Sequence, residues 1–228
     1  MTPILMAFCL ICLPAIQHNE VISLEDNISY NTLKSEIQAE QLQFAKAYSS
    51  SGSNKDSIID AARIYLLNTL QTDLFPAWYG TAWDYEGTTQ IPKTGSIACG
   101  YFVTTVLRDA GFNIPRVKWA QMASETMIYE MTNDVKKYSN VSAEKVIAEI
   151  KTRGEGLFVV GLDIHVGYIL YYQNSIMFIH SNYYQNGIGV MAENPIGDNP
   201  FFHSKYRVVG KILGDTMMQD WLSLVSKQ

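Results

Sequence analysis

The chain is short of charge, has no basic cluster and holds little cysteine, and each shortage excludes something. Lysine and arginine number 17 against 22 acidic residues, a net charge of −5. With no basic stripe, the electrostatic footprint of a nucleic-acid binder is missing. The three cysteines are Cys9, Cys12 and Cys99. The first two lie in an apolar run from Ile4 to Ile16 that Pro14 interrupts, too short to span a bilayer. Met1 to Gln17 carries no charged side chain and fits a secretory h-region without the usual Lys or Arg before it. The alternative is a buried N-terminal strand or helix. If the leader is removed, Cys99 is left alone. A single thiol in an exported chain closes no internal disulfide and stands as a free reactive group. The residues before Cys12, Cys-Leu-Ile, make a poor lipoprotein box.

What is present suffices for a core: 228 residues at 47% hydrophobic content read as one good-sized domain. The 14 tyrosines suit sugar or peptide binding, and equally a β-sheet. His18 to Tyr30 is polar and reads as irregular. Asn31 to Ser49 has helical spacing, and Ser49 to Asn54 is a linker. A second helix runs from about Lys55 to a stop near Pro76. An aromatic stretch from Trp78 to Gly87 and a turn over Thr88 to Ser96 follow. Phe102, Val103, Val106, Leu107 and Ala110 then recur at helical spacing, with Ser96 as the N-cap and Gly111 as the C-terminal cap. After Pro115 the pattern is mixed, and Ser142 to Lys151 is helical.

From Gly156 the period changes to strands: Gly156 to Leu162, His165 to Tyr172, Ser175 to His180, Ile188 to Ala192 and Tyr206 to Leu213. Asp215 to Val225 closes the chain as a short helix. Helices followed by a run of strands predict an α+β fold with an antiparallel sheet. The expected organisation is a signal peptide over 1–17, a helical extension and linker over 18–55, the main domain over 56–215, and a C-terminal helix over 216–228.

Cys99 stands at the start of its helix, where unpaired backbone N–H groups and the helix dipole favour thiolate over thiol. A cysteine nucleophile needs a base, and the base an orienting group. Of the four histidines, His18 and His203 read as surface residues. His165 and His180 fall on a predicted hairpin. If Gln173-Asn174 is its turn, Tyr172 faces Ser175 and His180 faces Gly167. His165 then points the same way as Gly167. The two histidines become diagonal neighbours on one face, roughly 7–8 Å apart at the backbone, with Gly167 leaving room between them. A slip of one residue would put them on opposite faces. Cys99, His165 and His180 make only three ligands without a local spacing motif, which argues against zinc.

A cysteine opening a helix, a strand beginning His165-Val-Gly-Tyr-Ile-Leu170 and a strand ending Phe178-Ile-His-Ser181 resemble the NlpC-type papain-like peptidases of bacterial cell walls. The resemblance runs from about Ser57 to Leu213 and includes Tyr79 to Gly87, Ala98-Cys-Gly-Tyr-Phe-Val103 and Tyr206-Arg-Val-Val209. It implies a papain-like fold, with the nucleophile's helix packed on an antiparallel sheet, and an exported, periplasmic or secreted hydrolase. Cys99 would attack, His165 would move the proton, His180 would orient His165, and the Cys99 backbone N–H would help hold the oxyanion. No cofactor is implied. The implied partner is peptidoglycan or its muropeptide fragments. The implied bond is a stem-peptide amide, commonly the one after D-Glu; an amidase cutting between sugar and peptide, a non-catalytic wall binder and an acyltransferase are the alternatives. The chain departs from the family's usual Asp-Cys-Ser-Gly-Phe, having Ala98 and Gly100 around Cys99, and Trp83 stands where a tyrosine is usual. Trp83, Tyr85, Ala98 and Gly100 are the expected substrate contacts.

Overall fold

A computed structural model describes residues 18–52, 54–184 and 189–224, with side chains from Ser29 on. The leader, Cys9, Cys12, Ile188 and the end of the C-terminal helix lie outside the described residues. The first helix, α1 (His18–Ser50), begins earlier than expected. Residues 18–30 contain neither proline nor glycine, so nothing in them breaks a helix. Next comes α2 (Lys55–Thr69), which opens a helical run that ends at Trp78, close to the expected stop near Pro76. It continues through a π turn over Leu70–Leu74 into α3 (Phe75–Trp78). In the π turn the Phe75 N–H bonds the Leu70 carbonyl, so the proline falls where the ladder changes register. Helix α4 (Cys99–Asp109) carries the cysteine at its first position. The mixed segment resolves into α5 (Arg116–Ala120), α6 (Ser124–Met131) and an unanticipated strand, β1 (Val135–Ser139). Its Val-Lys-Lys-Tyr-Ser sequence suits the sheet edge it occupies.

After α7 (Ala143–Thr152) come β2 (Gly156–Gly161), β3 (Val166–Tyr172), β4 (Ser175–Ser181) and β5 (Val190–Glu193). The short α8 (Pro200–His203), β6 (Tyr206–Ile212) and α9 (Asp215–Leu222) complete the chain. His203 ends α8 and is exposed, in keeping with its reading as a surface residue. The strands form one sheet in the order β1-β6-β2-β3-β4-β5, antiparallel at each pairing. The architecture is α+β.

Helices cover both faces of the sheet. Leu157, Val159, Tyr168 and Ile179 pack with Phe102, Val103 and Val106 of α4 and with α1, α2 and α9. Phe158, Val160, Ile169 and Phe178 pack with Val146, Ile147 and Ile150 of α7 and with Phe201 of α8. Covering on both sides explains why β2 is buried along its whole length.

The expected boundary at residue 55 does not divide two cores. Tyr30 and Ile37 of α1, and Met218 and Trp221 of α9, share one cluster with Leu66, Trp78 and Val106. Polar contacts lock these helices in place. The Trp78 Nε1–H donates to the Tyr30 hydroxyl at 2.8 Å, which donates to Asp109 Oδ2 at 2.8 Å. Gln41 Nε2 donates to the carbonyls of Gly111 and Trp221. Tyr30→Phe removes an acceptor from Trp78 and a donor from a buried carboxylate. It should cost about 1–3 kcal/mol, read as a lower denaturant midpoint with an unchanged slope. An unchanged midpoint would show that the Tyr30 hydroxyl adds nothing to the stability of the core.

Candidate active site

The loop before α4 fixes where the cysteine stands. Thr81 and Ala82 thread between β5 and Ile97: the Val190 N–H bonds the Thr81 carbonyl, and the Ile97 N–H bonds the Ala82 carbonyl. The Ala98 N–H bonds the Gly87 carbonyl, and the Ser181 hydroxyl donates to the Ile97 carbonyl at 2.6 Å. These contacts hold Ala98 extended, at φ −76° and ψ 159°, and postpone the helix. The N-cap is thus Ala98, without a side-chain cap, and not Ser96. Ser96 is instead bridged to Ala82. The far end of α4 is as expected, with Gly111 at φ +94° just beyond Ala110.

The hairpin has the predicted register. Gln173 and Asn174 take φ values of 50° and 61°, a two-residue turn of the kind that suits strand twist. Tyr172 pairs with Ser175 and Tyr168 with Ile179. Continuing that pairing sets His180 opposite Gly167. A β-carbon on Gly167 would lie 2.8 Å from the His180 β-carbon and 2.8 Å from the Phe178 ring, so only glycine fits the crossing. His165, just before β3, brings its Nε2 to 2.8 Å from Nδ1 of His180. The His180 ring stacks on Phe178 at 4.1 Å. Both histidines are buried, at 4% and 0% exposure.

The other ring nitrogen of His180, Nε2, meets Glu193 Oε1 at 2.8 Å. Glu193 ends β5, and its backbone pairs with Phe178, diagonal to His180. The sequence reading missed this carboxylate, because it ended that strand at Ala192. It also missed Tyr183, whose ring lies 5.0 Å from His165 and 5.9 Å from Trp83.

Phe178 packs with the α7 and α8 cluster, whereas α4 packs on the opposite face. Cys99 on α4 and the His180 ring stacked on Phe178 therefore start from opposite faces of the sheet, and the sulfur reaches the backbone N–H of Val166, the residue after His165. The backbone N–H groups of Val166, Gly100 and Cys99 favour the thiolate, but burial outweighs them and pushes the thiol above its usual range. This reverses the expectation from the helix start alone. Burial, then the charge of His180, holds His165 well below the usual imidazole range. Burial also lowers His180, although the bond to Glu193 and its charge oppose the shift. The resting pair is a neutral thiol beside a neutral imidazole. No hydrogen bond joins Cys99 to His165 among the described residues; the link between them is the backbone N–H of Val166, which bonds the sulfur.

Comparison with protein-family models, curated proteins and solved structures finds no match. The likeness to the NlpC-type family therefore stands on the motif residues and their chemistry.

The expected substrate contacts are placed differently from one another. Trp83 reaches the site through Tyr183. Tyr85, on the same loop, is 80% exposed. Ala98 caps α4 with its backbone and is half-buried. Gly100 is buried, and a β-carbon there would lie 2.4 Å from the Ala120 carbonyl oxygen. Its position serves the close approach of α5, and it offers Cys99 a backbone N–H. Among the described residues no three His, Cys, Asp or Glu side chains converge as metal ligands, and no helix is long and apolar enough to cross a membrane.

Proposed function

We propose that this chain is an exported cysteine hydrolase of the papain-like NlpC type that cleaves an amide bond in peptidoglycan stem peptides. The observation that carries the reading is the His165–His180 pair at 2.8 Å, in a chain whose Val166 N–H, next to His165, reaches the cysteine at the first position of a helix. His165 uses Nε2 on His180, which leaves Nδ1 for the thiol. A bound amide shields the pair from water. His165 then takes the Cys99 proton, the sulfur attacks the carbonyl carbon, and the backbone N–H groups at the start of α4 receive the oxyanion. His165 returns the proton to the leaving amine. The thioester is hydrolysed by water, with His165 again as base. An amine in place of that water would give acyl transfer instead.

The substrate preference rests on Ala98. In the family the acid before the cysteine pairs with the amino terminus of a trimmed stem, and alanine has no carboxylate. Losing an ion-pair hydrogen bond worth roughly 1.5–3 kcal/mol should weaken binding of free peptides about tenfold or more. Trp83 beside Tyr183 offers flat surface to a larger ligand, such as a stem still joined to its sugar. The test is a digest of purified sacculi, of sugar-linked muropeptides and of the same stems without sugar, read by mass spectrometry with Cys99→Ala as control. Sugar-linked fragments should be cut faster. Faster cleavage of free stems would overturn the preference. No Cys99-dependent product from any of the three would overturn peptidoglycan as the substrate.

A further inference from the structure

We infer that Glu193 is a positioning residue that sets the proton direction through both histidines and so leaves His165 Nδ1 bare for the thiol. The inference rests on the hydrolase reading for its consequence, but its geometry does not depend on that reading. Three groups stand in line: His165, His180 and Glu193. Both contacts are 2.8 Å.

A neutral imidazole has one N–H and one lone pair, so a hydrogen bond between two such rings can run either way. If it ran from His180 to His165, the His165 proton would sit on Nδ1, and that nitrogen could not act as a base. The end of the chain decides. An ionised carboxylate only accepts, so it requires the His180 proton on Nε2. That leaves His180 Nδ1 as the acceptor, and only the Nε2–H of His165 can fill it. His165 Nδ1 is then the lone pair. One acceptor-only group thus fixes two tautomers across a span that its own side chain does not reach.

Among the described residues, His180 has no side-chain partner besides His165 and Glu193. Its ring lies against Phe178 on one side, and its edge faces His165. The ring is fully buried, so water does not substitute for the carboxylate, whose own side chain is 21% exposed. Tyr183, the other titratable group over His165, meets it ring to ring. Its phenol is pushed up by burial first and then by Cys99, and it stays neutral at physiological pH.

The substitution that isolates the effect is Glu193→Gln. Glutamine has nearly the same shape, but its amide both donates and accepts, so it supports either direction. Nitrogen-15 spectra of the imidazole rings, recorded on the wild-type chain, Glu193→Gln and Glu193→Ala, read the tautomers directly. The wild type should show both rings protonated on Nε2 alone. Glu193→Gln should add Nδ1–H signals for His165 and His180 while melting near the wild-type temperature. Turnover should fall roughly 10- to 100-fold, as for other partners that orient a functional histidine, with kcat changed more than KM. A proton on His165 Nδ1 in the wild type, or unchanged tautomers in both variants, would overturn the inference. The spectra need no substrate. A wild type with the expected tautomers that cuts nothing would therefore count against the hydrolase reading and leave the role of Glu193 standing.

Discussion

His165→Ala should lower turnover by about 10⁴-fold, the upper range of what a positioned general base contributes. The reason is specific to this site. Burial raises the Cys99 thiol, so little thiolate exists at rest. On the proposed hydrolase reading, attack then requires a proton acceptor at the moment substrate binds, the role that reading gives to His165. His180→Ala should cost less, because the base survives and only its orientation is lost. His180→Asn or His180→Gln should recover part of that loss, since either side-chain carbonyl can accept the His165 Nε2–H. The measurement is kcat on the best muropeptide, with circular dichroism confirming that each variant folds. Near-wild-type turnover by His165→Ala would show that another group accepts the proton. If His180→Ala were as inactive as His165→Ala, the two rings would act as one unit and not as base and orienter.

Gly100→Ser should damage the protein even though it brings the chain closer to the family's usual cysteine motif. The first side-chain atom would lie 2.4 Å from the Ala120 carbonyl oxygen and 3.2 Å from its carbon. Both are backbone atoms of α5, so no rotamer change relieves the contact. Either α5 retreats or the start of α4 moves, and the start of α4 carries Cys99. Overpacking of this kind costs about 1–3 kcal/mol. A small shift of the nucleophile from its productive geometry costs about 100-fold in rate. The measurements are the denaturant midpoint and kcat. A Gly100→Ser variant of unchanged stability and higher activity would mean that α5 yields easily, and that serine supplies the polar substrate contact seen in the family.

These two experiments probe different kinds of information. The hairpin that holds His165 and His180 was legible because everything that fixes it is local. Two residues able to take positive φ, Gln173 and Asn174, join two apolar strands, and a two-residue turn leaves one register. Gly167 between the rings followed from that register. Glu193 was not legible for the opposite reason. Ser181 and Val190 are joined by a long connection, which does not set a register. The β4–β5 pairing that places Glu193 diagonal to His180 depends on Gly80, Thr81 and Val190 bonding to one another from distant parts of the chain.

The sequence by itself determined the antiparallel α+β character of the fold, the helix that begins at Cys99, and the shared face of the two histidines. Each follows from periodicity and turn chemistry within a few residues. Only the tertiary structure decided three other matters. It placed α1 and α9 in the common core through the Tyr30–Asp109 and Gln41–Trp221 contacts. It moved the cap of α4 from Ser96 to Ala98, because bonds to Ala82 and Gly87 keep the intervening backbone extended. It also set the charge state of the Cys99 thiol. A helix start favours thiolate through partial charges the sequence reveals, but desolvation depends on what packs around the sulfur, and here it is the larger effect.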